Sequence, residues 1–490
     1  MALTLDTSRT PTDTLTGRAR TAALISLLLA STMELMDATI VNVALPTIEA
    51  ELGATGVQLQ WMVAAYPLAF AVALVTGSRL GDAFGRKRLF VAGLVGFTLM
   101  SAACGLAPTA ASLVTFRALQ GLGAAAMIPQ VMSSIQVLYA PHERAKAMGA
   151  FSGLAGLATV LGPVLGAVLT EADIAGSSWR PVFLVNVPLG LLALVAALRL
   201  IPESYGARRP DLRVGSTLTL GLGLLAVLYP LTMGREEGWP LWVFALMALG
   251  AGVLVRFAVR QHRAEVAGGE PLLTLSLYRN RAFAGGSTVL LVLFVSMAAY
   301  FLAQTVYVQA GLGWSVLKAG LVSVPFALTT AVFAGVGVTV IAPRIGRRVM
   351  SLGAGVLAVG ALLQALVVHG ATADTSYWWF VPTLVVLGAG FGLMVAPIGM
   401  FTISEVPVER AGSASGLFNT TTQLANAVGI ALLGTVFFEV ASRQATRVPA
   451  EVFGPAFQVV LLVVAALMVV AALASRALPE AAPAEPVEVH

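Results

Sequence analysis

Residues 21–45 read TAALISLLLASTMELMDATIVNVAL, a run in which only Glu34 and Asp37 are charged. A helix needs about 20 mostly apolar residues to cross a bilayer, so this stretch is long enough to span one. A cleaved leader is the competing reading. It fits poorly, because the run is long and leads into a charged, patterned segment where a leader would have a cleavage site. The preceding tail, 1–20, is polar and carries Arg9, Arg18 and Arg20. Working outward, similar apolar runs recur down almost the whole chain. One membrane-embedded body is therefore expected where length alone would suggest several soluble domains.

Composition agrees. Of 490 residues, 58% are hydrophobic and 11% charged, whereas a soluble globular chain carries about 25% charged residues. A mean hydropathy of +0.88 is incompatible with a water-soluble core. The 49 glycines suit close helix packing in lipid. Cys104 stands alone, and His142, His262, His369 and His490 are scattered. Neither an intrachain disulfide nor a metal site is expected. The pI near 9.6 could suggest nucleic acid, but the basic residues lie beside the apolar runs, where membrane orientation explains them; no nucleic-acid partner is expected. Only Lys87, Lys146 and Lys318 are lysines among 29 basic residues, a bias of GC-rich bacterial genomes.

Helices are predicted at 21–45, 60–79, 89–107, 110–136, 146–170, 182–201, 213–233, 239–259, 283–309, 317–341, 349–369, 377–402, 411–438 and 455–475. An even count puts both termini on one side. With the N-terminus cytoplasmic, 23 of the 29 basic residues fall in cytoplasmic segments. Five fall outside (Arg180, Arg235, Lys318, Arg443, Arg447), and Arg117 lies within a span. That asymmetry follows the positive-inside rule, and a missed span would scramble it.

The chain also repeats itself. Pro141-His-Glu143-Arg144-Ala145 recurs as Pro407-Val-Glu409-Arg410-Ala411, Gly121-Leu-Gly123 as Gly388-Ala-Gly390, and Gly85-Arg86-Lys87 as Gly346-Arg347-Arg348. Three echoes in order at nearly one offset imply duplicated halves, and parallel repeats are a known transporter architecture. The expected organisation is a cytoplasmic tail (1–20), a six-helix bundle (21–201), an inserted helix pair (213–259), a cytoplasmic linker (260–282), a second six-helix bundle (283–475) and a cytoplasmic tail (476–490).

These residues resemble the major facilitator superfamily, and within it the fourteen-helix drug:proton antiporters. The resemblance covers 20–475. Gly77-Ser-Arg-Leu-Gly-Asp82-Ala-Phe-Gly85-Arg86-Lys87-Arg88 looks like the superfamily's cytoplasmic loop motif. Arg117-Ala-Leu-Gln120-Gly121-Leu-Gly123 is similar to the proton-coupling motif, and Gly162-Pro163-Val-Leu-Gly166 to the antiporter motif. Asp37-Ala-Thr-Ile-Val-Asn42-Val-Ala-Leu-Pro46 resembles the mark of the fourteen-helix group. Tyr307-Val-Gln309, followed by Gly313-Trp314-Ser315 and Ala319-Gly320, resembles the start of that group's second half. Departures are Ser78, Ala83, Ala158, Ala167 and Pro181. The first four mostly keep small side chains, though Ala83 forfeits a charge; Pro181 questions where the sixth helix starts. The resemblance implies an all-α polytopic major facilitator fold, fourteen transmembrane helices arranged as six, two and six, in a bacterial inner membrane.

Charge inside a span is costly and therefore informative. Glu34 and Asp37, three residues apart, share a helical face. They are either boundary acids in contact with water or the group that binds the transported proton, Asp37 first because it sits in the family motif. Arg117 is either a packing ion pair or the residue that tunes those acids; the repeat-equivalent region near Leu384 has no basic residue. Asp82, Gly85, Arg86 and Arg88 form either a positive-inside anchor or a conformational latch. Gly162, Pro163 and Gly166 are either generic packing or a pliable seal against the opposite half. Tyr300, Gln304 and Tyr307 share one face of the ninth helix, and Asn419, Gln423 and Asn426 one face of the thirteenth. With Asn42 and Gln120 these are the substrate-cavity candidates, the alternative being interhelical glue.

The expected function is export of amphipathic small molecules, cations included, in exchange for protons by alternating access. The protein is expected to be a monomer with no cofactor, driven by the proton gradient. A uniporter or symporter of a metabolite is the rival on the same fold. A membrane-embedded enzyme is disfavoured, since no nucleotide loop, metal cluster or nucleophile constellation is present in the sequence.

Overall fold

The computed structural model describes residues 17–139, 141–205, 214–234, 238–269, 271, 273–372, 374–406, 411–444 and 448–480. These are helical rods joined by short turns, with no strand among the described residues. In chain order they are α1 (Gly17–Leu52), α2 (Gly56–Phe84), α3 (Arg86–Gly105), α4 (Ala110–Leu138) and α5 (Pro141–Glu171). Next come α6 (Pro181–Leu184 continued by Asn186–Leu200), α7 (Val214–Met233) and α8 (Leu241–Val266). Then follow α9 (Arg281–Val306, running into a π turn at Tyr307–Gly311) and the broken rod α10. The pieces of α10 are Val316–Val322, Val324–Val336, a π turn at Gly337–Ile341, and Ala342–Ile345. The last four are α11 (Arg348–His369), α12 (Val381–Ile403), α13 (Ala411–Ser442) and α14 (Pro449–Ala474).

Among the described residues, eleven helices are long and apolar enough to cross a membrane, or twelve if the two pieces of α2, bent by 50° between Leu74 and Thr76, make one span. The sequence predicts fourteen. The remaining two rods, α5 and α7, contribute the apolar stretches Leu161–Glu171 and Gly215–Leu231 among the described residues.

Local sequence sets the helix starts. Thr55 and Thr109 each close a capping box, with Gln58 and Ser112 respectively, satisfying backbone donors that a helix start leaves free. Asn280 accepts from the Ala282 and Phe283 amides at the start of α9. Pro181 begins α6; a proline is tolerated at a first helical position because its missing N–H would be unpaired there anyway. The turns after α2 and α10 rest on Gly85 and Gly346, with φ of 108° and 58°, a region open to glycine without strain.

The two groups of six helices pack in the same order. In the first, α2 lies on α4, α3 on α4, α1 on α5 and α6, and α3 on α6. In the second, α10 lies on α12, α11 on α12, α9 on α13 and α14, and α11 on α14. Two seams join the groups: α5 against α10 and α12, and α2 against α13. The α7–α8 hairpin sits beside the second seam, α7 touching both α2 and α13. Leu220, Leu224 and Leu228 of α7 bury against Ala64, Leu68 and Ala71 of α2 and against Leu417 of α13.

Large apolar side chains stay exposed along one side of several rods. They include Leu191, Leu192 and Val195 on α6, Leu218 and Leu222 on α7, Leu362 and Leu366 on α11, and Val469 and Leu473 on α14. Exposure of this extent marks a face for apolar surroundings, here the acyl chains of a bilayer.

Candidate functional site

The polar heart of the chain lies where α1, α2, α3, α4 and α6 meet. Asp37 of α1 and Arg117 of α4 form an ion pair through Oδ2 and Nη1, both side chains fully buried. The other oxygen of Asp37 accepts from Gln120 Nε2 at 2.9 Å and from Asn186 Nδ2 at 2.8 Å. Asn186 Nδ2 also donates to Ser101 Oγ at 3.0 Å, and Ser101 in turn donates to the Phe183 carbonyl at 2.9 Å. Arg117 donates from Nε to the Met62 carbonyl at 3.2 Å and from Nη1 to Gln120 Oε1 at 2.9 Å. Its guanidinium lies over the Tyr66 ring, 4.5 Å from the centroid, a favourable position for a buried cation. Nη2 has no hydrogen-bond partner among the described residues.

Glu34 sits one turn earlier on α1, also buried, and accepts from the Tyr66 hydroxyl at 3.3 Å. Tyr66 therefore touches both acid systems, Glu34 through its oxygen and Arg117 through its ring. The two carboxylates differ sharply. Asp37 has a cation and two amide donors; Glu34 has one phenol donor.

A buried ion pair withstands its desolvation cost only when its remaining lone pairs and protons are also satisfied. Asp37 meets that condition and Arg117 nearly does. Adding a proton to Asp37 would cancel the attraction and leave Arg117 charged in a dry interior.

The loop-motif residues form a second cluster at the end of α2. Asp82 accepts from Arg86 at 2.8 and 3.0 Å. Gly85 leaves the start of α3 without a side-chain cap. Glu203, beyond α6, supplies one: its Oε1 accepts from the Lys87 amide at 3.0 Å, and its Oε2 lies 3.6 Å from Arg88 Nε. A carboxylate at a helix N-terminus both caps it and opposes its dipole. Arg20 of α1 makes two 2.7 Å bonds to Glu143 of α5.

Gly162 is buried where α5 crosses α1. A β-carbon there would lie 2.1 Å from Thr39 Oγ1 and 2.9 Å from the Met36 carbonyl. Pro163 is half-buried and Gly166 buried. On the other side of α5, a β-carbon at Gly320 of α10 would meet Val164 at 3.3 Å.

The substrate-cavity candidates divide. Gln120 is fully buried and bonded to Asp37 and Arg117, so it belongs to the ion-pair network. Tyr300 and Tyr307 do not line an opening. Both are fully buried in the core of the second group, Tyr300 donating to Gln364 Oε1 at 3.0 Å and packing on Phe326 and Phe457, Tyr307 packing on Phe457. Gln304 beside them donates weakly to Ser323 Oγ at 3.4 Å. The aromatic periodicity marked a face correctly, but that face turns toward α10, α11 and α14. Asn419, Gln423 and Asn426 keep partial exposure on α13. The side chain of Asn42 lies outside the described residues.

Sequence reasoning missed Tyr66, Ser101, Asn186 and Glu203. Asn186 could have been noticed as a lone amide in an apolar run, since polar groups inside spans are expensive. Nothing local pointed to its partner 149 residues away. The matching place in the second group holds Tyr300, Gln364, Leu384 and Leu387, all buried, so an aromatic and apolar core stands where the first group has its ion pair.

The model of the Major Facilitator Superfamily matches residues 27–430. A probable actinorhodin transporter of Streptomyces coelicolor is 40% identical over 87% of this chain and 74% of its own. A puromycin resistance protein of Streptomyces alboniger is 33% identical, covering 84% of this chain and 81% of its own. The multidrug resistance protein Stp of Mycobacterium tuberculosis is 32% identical, covering 86% and 76%. The chain belongs to the Major Facilitator Superfamily and is a multi-pass membrane transporter.

Proposed function

We propose that this transporter exports amphipathic small molecules, antibiotics among them, in exchange for protons. The observation that carries the proposal is the buried Asp37–Arg117 pair. Its charge balance is broken by a single proton, and five helices of one group close around it. Asp37 takes up the proton from the outer side. Arg117 is then held by the Tyr66 ring, Gln120 and the Met62 carbonyl, the helices rearrange, and the proton leaves toward the cytoplasm as the pair re-forms. Glu34, bound by Tyr66 alone among the described residues, is the acid left over to attract a cationic substrate. Relatives named for the transport of or resistance to actinorhodin, puromycin and several drugs support the substrate class.

In this reading the chain crosses the bacterial inner membrane fourteen times, with both termini cytoplasmic. The repeated packing order supports two six-helix bundles around an inserted pair. The basic-residue asymmetry supports the orientation. Alternating access is a rocking of one bundle on the other about the α5–α10 and α2–α13 seams. Gly162, Pro163 and Gly166 seat α5 closely on α1 and so hold it in place at the sealed first seam, while Asp82, Gly85, Arg86 and Arg88, with Glu203 meeting Arg88 and the Lys87 amide, hold the cytoplasmic end of the first bundle in register. Asn419, Gln423 and Asn426 face the solute path. The energy source is the proton gradient, no cofactor is called for, and the working unit is a monomer.

Drug-susceptibility panels in an efflux-deficient host test the substrate class. Expression of the wild type should raise tolerance to several amphipathic compounds, and the Asp37→Asn variant should not. A wild type that shifts tolerance to none of them would argue against drug export and for a metabolite uniporter or symporter.

A further inference from the structure

The start of α11 and the end of α14, which lie on the cytoplasmic side in the proposed orientation, enclose a cavity of about 240 Å3 lined by Arg347, Arg348, Ser351, Ser475 and Arg476. Three guanidinium groups around one small space repel each other unless something anionic sits between them. Arg347 is already committed. It donates to the Arg476 and Leu478 carbonyls at 2.8 Å and to Glu480 at 3.0 Å. Arg348 and Arg476 make no ion pair among the described residues.

The matching place in the first group shows what is different. Both loops dock by the same backbone bond, Arg86 N to Ser204 O at 2.9 Å and Arg347 N to Glu480 O at 3.2 Å. There, Asp82 neutralises Arg86 and Glu203 meets Arg88. Here Pro343 stands at the position of Asp82, and Ser351 at that of Phe90. Phe90 is fully buried, filling the first-group site with apolar bulk. In the second group two hydroxyls replace it, Ser351 Oγ and Ser475 Oγ, 2.9 Å apart. The repeat has thus exchanged an acid and a ring for a proline and a hydroxyl, turning a filled, neutralised site into an open cationic one.

The surroundings identify what fits. Leu352 and Leu363 on α11, and Val470 and Leu473 on α14, are exposed apolar side chains on the same two helices. An occupant with an anionic head in the cavity could lay its tail along them. We propose that this cavity binds the phosphate head of an anionic phospholipid, Arg348 and Arg476 gripping the phosphodiester beside the serine pair, whose own protons are held by each other and by the Ala472 carbonyl. Arginine suits the task because its fork matches phosphate oxygens, and basic pockets at the membrane edge are attractive to anionic lipid.

The test is native mass spectrometry of the full chain in detergent, titrated with phosphatidylglycerol, with phosphatidylcholine of the same acyl chains, and with inorganic phosphate. Phosphatidylglycerol should be retained in preference to phosphatidylcholine. The Arg348→Gln/Arg476→Gln variant should weaken that retention by about fivefold per arginine, or about 25-fold together. Arg348→Lys/Arg476→Lys should keep most of it. Arg256→Gln/Arg260→Gln on α8, losing equal charge, should leave it intact. Equal retention in the glutamine variant would overturn the proposal. Displacement of the lipid by inorganic phosphate from the wild-type protein would also overturn it, by showing a site for soluble anions.

Discussion

Removing Arg117 or Asp37 singly should harm the protein more than removing both. In Arg117→Met, Asp37 keeps the Gln120 and Asn186 amides but loses its cation. In Asp37→Leu, Arg117 keeps the Met62 carbonyl, Gln120 Oε1 and the Tyr66 ring, while its full charge stays buried. Leaving one member of a buried pair uncompensated costs about 3–5 kcal/mol. The arginine variant belongs at the low end, because two amides still solvate the carboxylate. The leucine variant belongs at the high end, because Nη2 already lacks a partner. The double variant replaces both charges with apolar groups of similar bulk. Such replacements are neutral or stabilising by about 1–4 kcal/mol in buried pairs. A double-mutant cycle should therefore show strong non-additivity, with the double variant melting near the wild type and well above either single variant. The assay is thermal unfolding of detergent-purified protein followed by fluorescence-detected size exclusion. Two single losses that simply add in the double variant would refute the reasoning, since they would mean that the charges are solvated separately.

Other expectations follow from particular contacts. Gly162→Ala should lower thermal stability and transport, and Thr39→Ala on the same chain should restore part of the loss; the Met36 carbonyl, 2.9 Å from the added carbon, prevents full rescue. Glu203→Ala removes the acceptor for the Lys87 amide, a loss of about 0.5–2 kcal/mol for a helix cap, read as a lower melting temperature that Glu203→Gln largely restores. Tyr66→Phe takes the hydroxyl from Glu34 but keeps the ring under Arg117; stability should fall by about 1 kcal/mol while tolerance to cationic drugs changes more than tolerance to neutral ones. Because Cys104 is buried, single cysteines can report topology. An impermeant maleimide added to whole cells should label Ser177→Cys and spare Ser204→Cys, and labelling of both would contradict the fourteen-span orientation.

Much of the architecture was legible because bilayers constrain sequence simply. Apolar length marked the spanning helices, of which eleven or twelve stand out among the described residues, basic residues gave the expected orientation, and the Gly85 and Gly346 echo marked two turns that share a positive φ. Pairing across the fold was less legible. Asp37 and Arg117 stood out as costly charges, yet the supporting Asn186 and Ser101 come from helices far along the chain, and no spacing rule links them. The Tyr300 face shows a second limit. Periodicity tells which residues share a side of a helix, but which neighbour that side meets depends on how the rods are rotated in the bundle. The π turns of α9 and α10 left no clear trace either, because they redistribute backbone bonds without requiring a distinctive side chain.

The central claim is that the buried carboxylate of Asp37 couples proton flow to export. Proteoliposomes holding the purified protein, a lipophilic cationic dye and an imposed pH gradient test it directly. The wild type should concentrate the dye against its gradient and dissipate the pH difference as it does so. Asp37→Asn, which keeps the shape of the side chain, should let the dye equilibrate without concentrating it. Uphill dye transport by Asp37→Asn at the wild-type rate would contradict the account.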